Sequence, residues 1–312
     1  MNILVTAIGS FSADCVINTL KKGNHRVIGC DIYPSVWHAV SKDCDKVYQA
    51  PFATEEERYI CFLLDTCKKE EVDCIFPLTD LEIDVLNHHK SDFNKVHVSV
   101  FIQSESCLNI ARNKWAMYKL FKDNRHVNVP YSEESSTLCS DFPVPAIAKP
   151  INGRSSEGLR RIEEKEDLNA IKELHDYIIQ ENIKGSIFTV DYVRDSFGND
   201  FSIPREELLR TKNGAGTTVR IVPDKTLNET TSYIGNKLEI IGCVNMEFIR
   251  NEEKYFLIDI NPRFSAGVAF SNYVGYDMVT SHLNSFIGKQ ICPPIEFKEQ
   301  IICKRYYEEL LC

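Results

Sequence analysis

Residues 243–263 read Cys243-Val244-Asn245-Met246-Glu247-Phe248-Ile249-Arg250-Asn251-Glu252-Glu253-Lys254-Tyr255-Phe256-Leu257-Ile258-Asp259-Ile260-Asn261-Pro262-Arg263. Two β-type runs flank a polar turn at Asn251-Glu252-Glu253-Lys254, the pattern of a hairpin. Side chains alternate faces along a strand, so Met246 and Phe248 share one face and Asn245 and Glu247 the other. On the returning strand, strict alternation groups Ile258 with Ile260, opposite Asp259 and Asn261. If the apolar faces coincide in a core, Glu247, Asp259 and Asn261 converge on the other side. Such hard oxygen ligands suit Mg2+, which takes one or two carboxylates and shares substrate phosphates. Pro262 cuts the strand, and Arg263 follows where a guanidinium could meet phosphate oxygens bidentately. An amphipathic hairpin with a solvated polar face is the simpler alternative.

Upstream, short apolar runs alternate with helical patterns. Ile3–Thr6, Arg26–Asp31, Val47-Tyr48, Cys74–Leu78 and Val96–Val100 read as strands, with helices through Val16–Leu20 and about Glu55–Glu70. Alternation of this kind implies crossovers and a parallel sheet covered on both faces. A dinucleotide site would need Gly-x-Gly-x-x-Gly after the first strand. The loop Ala7–Ala13 has one glycine, so Gly9 is read as a turn residue and Asp31 as a strand end. From about Asn109 the texture becomes α+β and mostly antiparallel. A helix near Asn113–Lys122 precedes paired strands at Pro145–Pro150 and Tyr177–Glu181. Longer β-runs follow at Ile187–Val193, Cys243–Ile249 and Tyr255–Ile260. The stretch Phe297–Cys312 is amphipathic and reads as surface packing or a dimer contact.

The 312 residues carry 43% apolar and 26% charged side chains and a net charge of −9. That charge argues against broad nucleic-acid binding, which needs a basic surface. No apolar run approaches the roughly 20 residues that span a bilayer, and no signal peptide is apparent at Met1–Thr6. The expectation is a cytoplasmic protein. Twelve cysteines are scattered without Cys-x-x-Cys spacing and read as reduced thiols, with Cys15, Cys30, Cys61 and Cys74 in apolar stretches. His88-His89 reads as solvated in a polar loop.

Asp259-Ile260-Asn261-Pro262-Arg263 resembles the acidic-x-Asn-Pro-Arg signature of ATP-grasp enzymes, of the carbamoyl-phosphate-synthetase-like branch. The resemblance covers roughly residues 1–290 and most strongly 109–265. It implies a Rossmann-like pre-ATP-grasp domain (1–108), then an ATP-grasp domain of two lobes, 109–182 and 183–312. It also implies that Glu247, Asp259 and Asn261 hold one or two Mg2+ ions (Mn2+ being a substitute) and that Arg263 contacts ATP phosphates. Lys114, in Arg112-Asn113-Lys114, and Lys149, in Ile147-Ala148-Lys149-Pro150, resemble the two ATP-contacting lysines. Asn152–Gly158, with Ser155, Ser156 and Gly158, stands in the place of the phosphate-covering loop, where backbone N–H groups would meet phosphate. Gln180–Gly185 resembles the adenine hinge, with Glu181, Asn182 and Ile183 at the base. Relatives often carry Glu two residues after the hinge glycine; this chain has Ile187.

The activity so implied joins a small-molecule carboxylate to an amine through an acyl phosphate, releasing ADP and phosphate. Positioning and charge neutralisation carry such phosphoryl transfer. Lys149, Asn261, Arg263 and Arg220 are the candidate catalytic residues. Arg205, Arg210 and Lys212 are candidates for the substrate carboxylate and the transferring phosphoryl group. No nucleic-acid or membrane partner is expected; a homodimer is. A small-metabolite kinase on the same fold, a nucleotide-binding relative without turnover and a nicotinamide-dependent oxidoreductase are the competing readings.

Overall fold

The computed structural model describes residues 1–153, 157–212 and 214–304. Five parallel strands, β1 (Asn2–Val5), β2 (Arg26–Asp31), β3 (Lys46–Gln49), β4 (Cys74–Phe76) and β5 (Ser99–Val100), lie in the order β3-β2-β1-β4-β5. They are joined through α1 (Ala13–Lys22), α2 (Glu56–Glu70), α3 (Asp80–His88) and α4 (Lys90–Lys95). Leu4, Val5, Ile28 and Ile75 are fully buried, as strands covered on both faces must be. Alternation sends Ile3 and Val5 to the α1 side and Leu4, Ile28 and Ile75 to the side of Leu63 on α2. The strand expected from Val96 shrinks to two residues. The Val96 N–H still bonds back to Phe93 at 3.1 Å, and His97 turns the chain at φ 60°.

Two further helices, α5 (Glu105–Ala111) and α6 (Lys114–Phe121), lead into an antiparallel sheet of β6 (Ser132–Glu134), β7 (Ala146–Pro150), β8 (Arg160–Ile162) and β9 (Tyr177–Glu181). Its order is β6-β9-β7-β8, and α7 (Asp167–Lys172) packs Leu168 and Ile171 against it. A six-stranded antiparallel sheet follows: β10 (Ser186–Arg194), β11 (Asp200–Arg210), β12 (Gly216–Ile221), β13 (Gly242–Asn251), β14 (Lys254–Asn261) and β15 (Gln300–Cys303). Their order is β14-β13-β10-β11-β12-β15, with α8 (Lys225–Lys237), α9 (Val268–Tyr273) and α10 (Met278–Phe286) alongside. The fold is thus a doubly covered parallel sheet followed by two antiparallel lobes.

Several local expectations are corrected. Gln300–Cys303, read as surface or dimer contact, is an edge strand paired with β12; residues 305–312 lie outside the described ones. Cys61 is exposed on α2 rather than buried. His88 and His89 are not free in a loop; each ring meets Glu56 of α2 at 3.1 Å. Gly185 is fixed by space, because a Cβ there would come within 1.8 Å of the Arg250 carbonyl oxygen. No helix among the described residues is long and apolar enough to cross a membrane.

The hairpin of β13 and β14 departs from strict alternation at one point. Glu247 pairs with Asp259, but Phe248 pairs with Leu257. Ile258 is therefore an extra residue, a β-bulge, with two residues facing one. Parity flips across it: Tyr255 and Leu257 enter the same core as Phe248 and Ile260, while Ile258 joins Asp259 on the opposite, cavity face. The grouping of Ile258 with Ile260 is overturned for this reason. Leu257→Ala should accordingly cost about 2–5 kcal/mol in urea unfolding, the usual cost of emptying a core site, and Ile258→Ala clearly less. The opposite ranking would contradict the bulge.

Candidate active site

A cavity of about 670 Å3 opens between the three sheets. The large sheet supplies its floor in cross-strand rows. One row runs Asp259, Glu247, Thr189, Arg205 from β14 to β11. The next pairs Asn261 with Asn245 and Asn245 with Asp191. On the hairpin-turn side of these rows Ile249 pairs with Ile187, and Ile147 and Ile183 complete an apolar end of the cavity. The site thus grades from apolar to acidic within a few residues of each strand.

Cations face the acidic row. Lys114 opens α6, whose N-cap Asn113 accepts from the Ala116 N–H at 2.8 Å. Its Nζ lies 3.2 Å from Asp259 Oδ1 and donates to the Gly153 carbonyl at 2.8 Å. Lys149 follows from alternation on β7, where Ala146 and Ala148 enter the lobe core and Ile147 and Lys149 face the cavity. Its Nζ donates at 3.2 Å to the carbonyl of Ile258, the bulged residue. Sequestration from water, and then the like charge of Lys114, lower its pKa from 10.5 to about 8, against the pull of Asp259 and Glu247. Burial lifts Glu247 above its ordinary value; Arg210 opposes this and Asp259 adds to it. Arg210 reaches Glu247 Oε2 at 3.1 Å.

Arg210 and Arg205 share the cavity although their spacing is odd. The β11–β12 pairing shifts between Glu207 and Leu209 and again between Leu209 and Arg210, which re-aims the strand end. Arg205 is 2% exposed and fully committed: its nitrogens meet Asp191 at 2.7 Å, Glu207 at 3.2 Å and Ser265 at 3.1 Å. Arg263 donates to Asp80 Oδ2 at 2.9 Å, across the interface with the front sheet. Burial alone would raise Asp80; the charges of Arg263, Arg112 and Lys114 outweigh it and hold the carboxyl below its ordinary value.

Among the residues singled out from sequence, Lys114, Lys149, Glu181, Ile183, Arg205, Arg210, Glu247, Asp259, Asn261 and Arg263 come together around this cavity. Glu181 does so with a carboxylate already accepting from the Tyr131 N–H at 2.9 Å. Four do not line it. Arg220 pairs in register with Glu206, on the face opposite Arg205 and Glu207, and its ion partners are Glu206 and Glu299. Lys212 is exposed in the turn. Gly158 lies outside the lining, its carbonyl accepting from Tyr177. Asn182 turns its N–H to the Pro145 carbonyl. Ser155 and Ser156 lie outside the described residues. Sequence reasoning missed Asp80, Asn245, Glu207 and the Gly9–Ser12 loop, all of which line the cavity. The available signal for Asp80 and Gly9 was position, just past the carboxyl ends of parallel strands, where α/β sheets meet ligands. Asp31, read as a strand end, is taken up locally by the Gly9 and Tyr33 N–H groups and His38.

With a folded pKa near 8, Lys149 binds fewer protons than an unfolded lysine between about pH 8 and 10.5. Stability therefore rises with pH across that window, and the full penalty applies below it. Ligand-free Lys149→Met should melt above the parent at pH 7, with the gap narrowing from pH 8 to 10.5. A constant gap in thermal melts would count against a sequestered charge.

A family model described as "ATP-grasp domain" matches residues 111–267, and one described as "PylC-like, N-terminal domain" matches residues 3–101. The carbamoyl phosphate synthase large chain of Agathobacter rectalis is 24% identical over 178 residues, covering 51% of this chain and 16% of the relative. That of Thermoplasma volcanium is 21% identical over 293 residues, covering 85% and 28%. This chain spans well under a third of the length of those relatives. In fold it is similar to biotin carboxylase from Campylobacter jejuni, solved with β,γ-ATP (TM-score 0.80, 18% identity, 96% of this chain and 75% of that one). It is similar also to L-amino acid ligase from Bacillus licheniformis (TM-score 0.71, 14% identity, 93% and 75%). The family match spans 157 of 312 residues (111 through 267), just over half. The chain belongs to the ATP-grasp family.

Proposed function

We propose that this protein is an ATP-dependent carboxylate–amine ligase working through an acyl phosphate with release of ADP and phosphate. The observation that carries the reading is the Asp259–Glu247 row faced by Lys114 and Lys149, next to an apolar slot. One cavity thereby offers a place for a base, a phosphate chain and a metal. In this reading residues 1–108, 109–182 and 183–312 act as three units.

The apolar end, Ile147, Ile183, Ile187 and Ile249, takes the nucleobase. Ile187 offers no oxygen to a ribose, so packing carries that contact. Lys114 and Lys149 exchange their present partners, Asp259 and the Ile258 carbonyl, for phosphate oxygens, and Arg263 adds a planar donor pair. Glu247, Asp259 and the Asn261 side-chain oxygen are the donors for Mg2+ (or Mn2+). Their fit rests on two partly buried carboxylates directly opposite across the hairpin, one of them lifted in pKa by burial and by the other's charge. When bound, the ion neutralises phosphate charge that these cations alone leave unbalanced. The substrate carboxylate attacks the γ-phosphorus, the P–O bond to ADP breaks, and an amine then displaces phosphate from the acyl carbon. Arg210, now held by Glu247 and the Gly214 carbonyl, is the cation best placed to exchange those partners for the carboxylate or the transferring group. Arg220 and Lys212 have no part in this scheme. The chain lacks a need for a protein nucleophile, since positioning and charge do the chemistry.

Purified protein with Mg·ATP, pooled amino acids and simple organic acids should release ADP and phosphate together above a blank. Lys149→Ala and Asp259→Asn should abolish that release, whereas Glu247→Gln should retain some. Release of ADP without phosphate would favour a small-metabolite kinase. Nucleotide binding by calorimetry without any release would favour a relative that does not turn over.

A further inference from the structure

A second, smaller cavity of about 280 Å3 lies beside the front sheet. It sits just past the carboxyl ends of β1, β2 and β4, where open α/β sheets meet ligands. Its walls are Ile32, Tyr33, Ala50, Phe52, Ala53 and Leu81. Gly9, Thr79 and Leu81 line this cavity and the main one alike, and at Gly9 the shared wall is backbone alone. A molecule reacting in the main cavity therefore has the second within reach of a substituent. The volume falls short of the roughly 300–1,000 Å3 of a pocket for a whole drug-sized ligand. It suits one side chain.

The lining narrows the class of that side chain. Two carboxylates border the cavity, and each is already paired. Asp31 accepts from the Gly9 N–H at 2.8 Å and the Tyr33 N–H at 3.1 Å, and His38 Nε2 lies 3.1 Å from it. Glu82 accepts from the Tyr59 hydroxyl at 2.8 Å and the Thr79 hydroxyl at 2.7 Å. No lysine or arginine lines the cavity among the described residues, so an anionic side chain meets like charge there. A cationic or hydrogen-bonding one must break bonds already made. An apolar group leaves every one of them in place. Phe52, 55% exposed, and Tyr33, 49% exposed, give it apolar surface to cover, and removing that surface from water is favourable.

Resting on the ligase reading above, we infer that the amino acid this enzyme joins carries a bulky, uncharged, apolar side chain, and that this second cavity holds it. The cavity sets specificity and takes no part in phosphoryl transfer. Leucine, methionine or phenylalanine fills it; alanine leaves it empty and forfeits the burial. Aspartate brings a third carboxylate to Asp31 and Glu82, and the lysine ammonium loses its water without a free partner to replace it.

The test adds leucine, methionine, phenylalanine, alanine, aspartate and lysine singly to Mg·ATP and the organic-acid pool and follows ADP and phosphate. The best of the first three should exceed each of the last three at least about tenfold in kcat/KM. Ile32→Trp, at a partly exposed position of the wall, fills the cavity and should bring the ratio of that amino acid to alanine near one. Equal or better use of alanine, aspartate or lysine by the parent overturns the inference and leaves the ligase reading standing. So does a ratio unmoved in an Ile32→Trp protein that melts like the parent, since the preference would then arise elsewhere. Silence with all six overturns the inference as well; the ligase reading then stands if the full pool gives release above the blank and falls if it does not. Should Ile32→Trp not fold, Phe52→Ala removes an exposed part of the wall instead. A KM for the preferred amino acid raised about threefold or more upholds the inference, and an unmoved KM sinks it.

Discussion

The site depends on one extra residue in one strand. Ile258 has no partner across β13, and because of it a single strand presents Tyr255 and Leu257 to the core and then Asp259 and Asn261 to the cavity. Residues 255, 257, 259 and 261 have the same parity, so a regular strand would send all four to one face. The bulge also frees the Ile258 carbonyl, which holds Lys149 from the opposing lobe. Core packing and the position of the second lysine are thus set by the same irregularity. A comparable shift in β11 lets Arg205, Glu207 and Arg210 reach the same space.

The cavity contains charges in pairs, each cation resting on an acidic group or a carbonyl. Lys114 rests on Asp259, Arg210 on Glu247 and Arg263 on Asp80. Removing one member of a buried pair leaves an unmatched charge and costs several kcal/mol. An anionic ligand entering here must therefore exchange partners rather than add to them. Its affinity is the difference between two well-satisfied states. Arg205 is the exception: completely enclosed, it serves as a fixed post on which Asp191, Glu207 and Ser265 are arranged.

Much of this was legible in the sequence, and the limits have physical causes. The hairpin turn, the acidic face and the parallel front sheet followed from periodicity, because each depends on neighbours close along the chain. Ile258 was misplaced because a bulge belongs to a pair of strands, and neither strand alone encodes it. Arg220 was drawn to the cavity by its charge and neighbourhood, yet its register opposite Glu206 turns it away. Asp80 was invisible for a different reason: its partner Arg263 lies 183 residues later, and no local pattern links them. Lys149 was legible because a lysine interrupting an apolar strand has only the unburied face to go to.

The Asp80–Arg263 bond also bears on how such a protein can be assembled from parts. The guanidinium in the signature of the second half is oriented by a carboxylate at the mouth of the first half's sheet. Arg112, which pairs with Asp84 at 2.9 Å and lies 3.6 Å from Asp80, adds a second strut across the same seam. The two halves are therefore not interchangeable modules. A chimera that swaps the front half keeps Arg263 in its present orientation only if the donor brings its own acid to that spot.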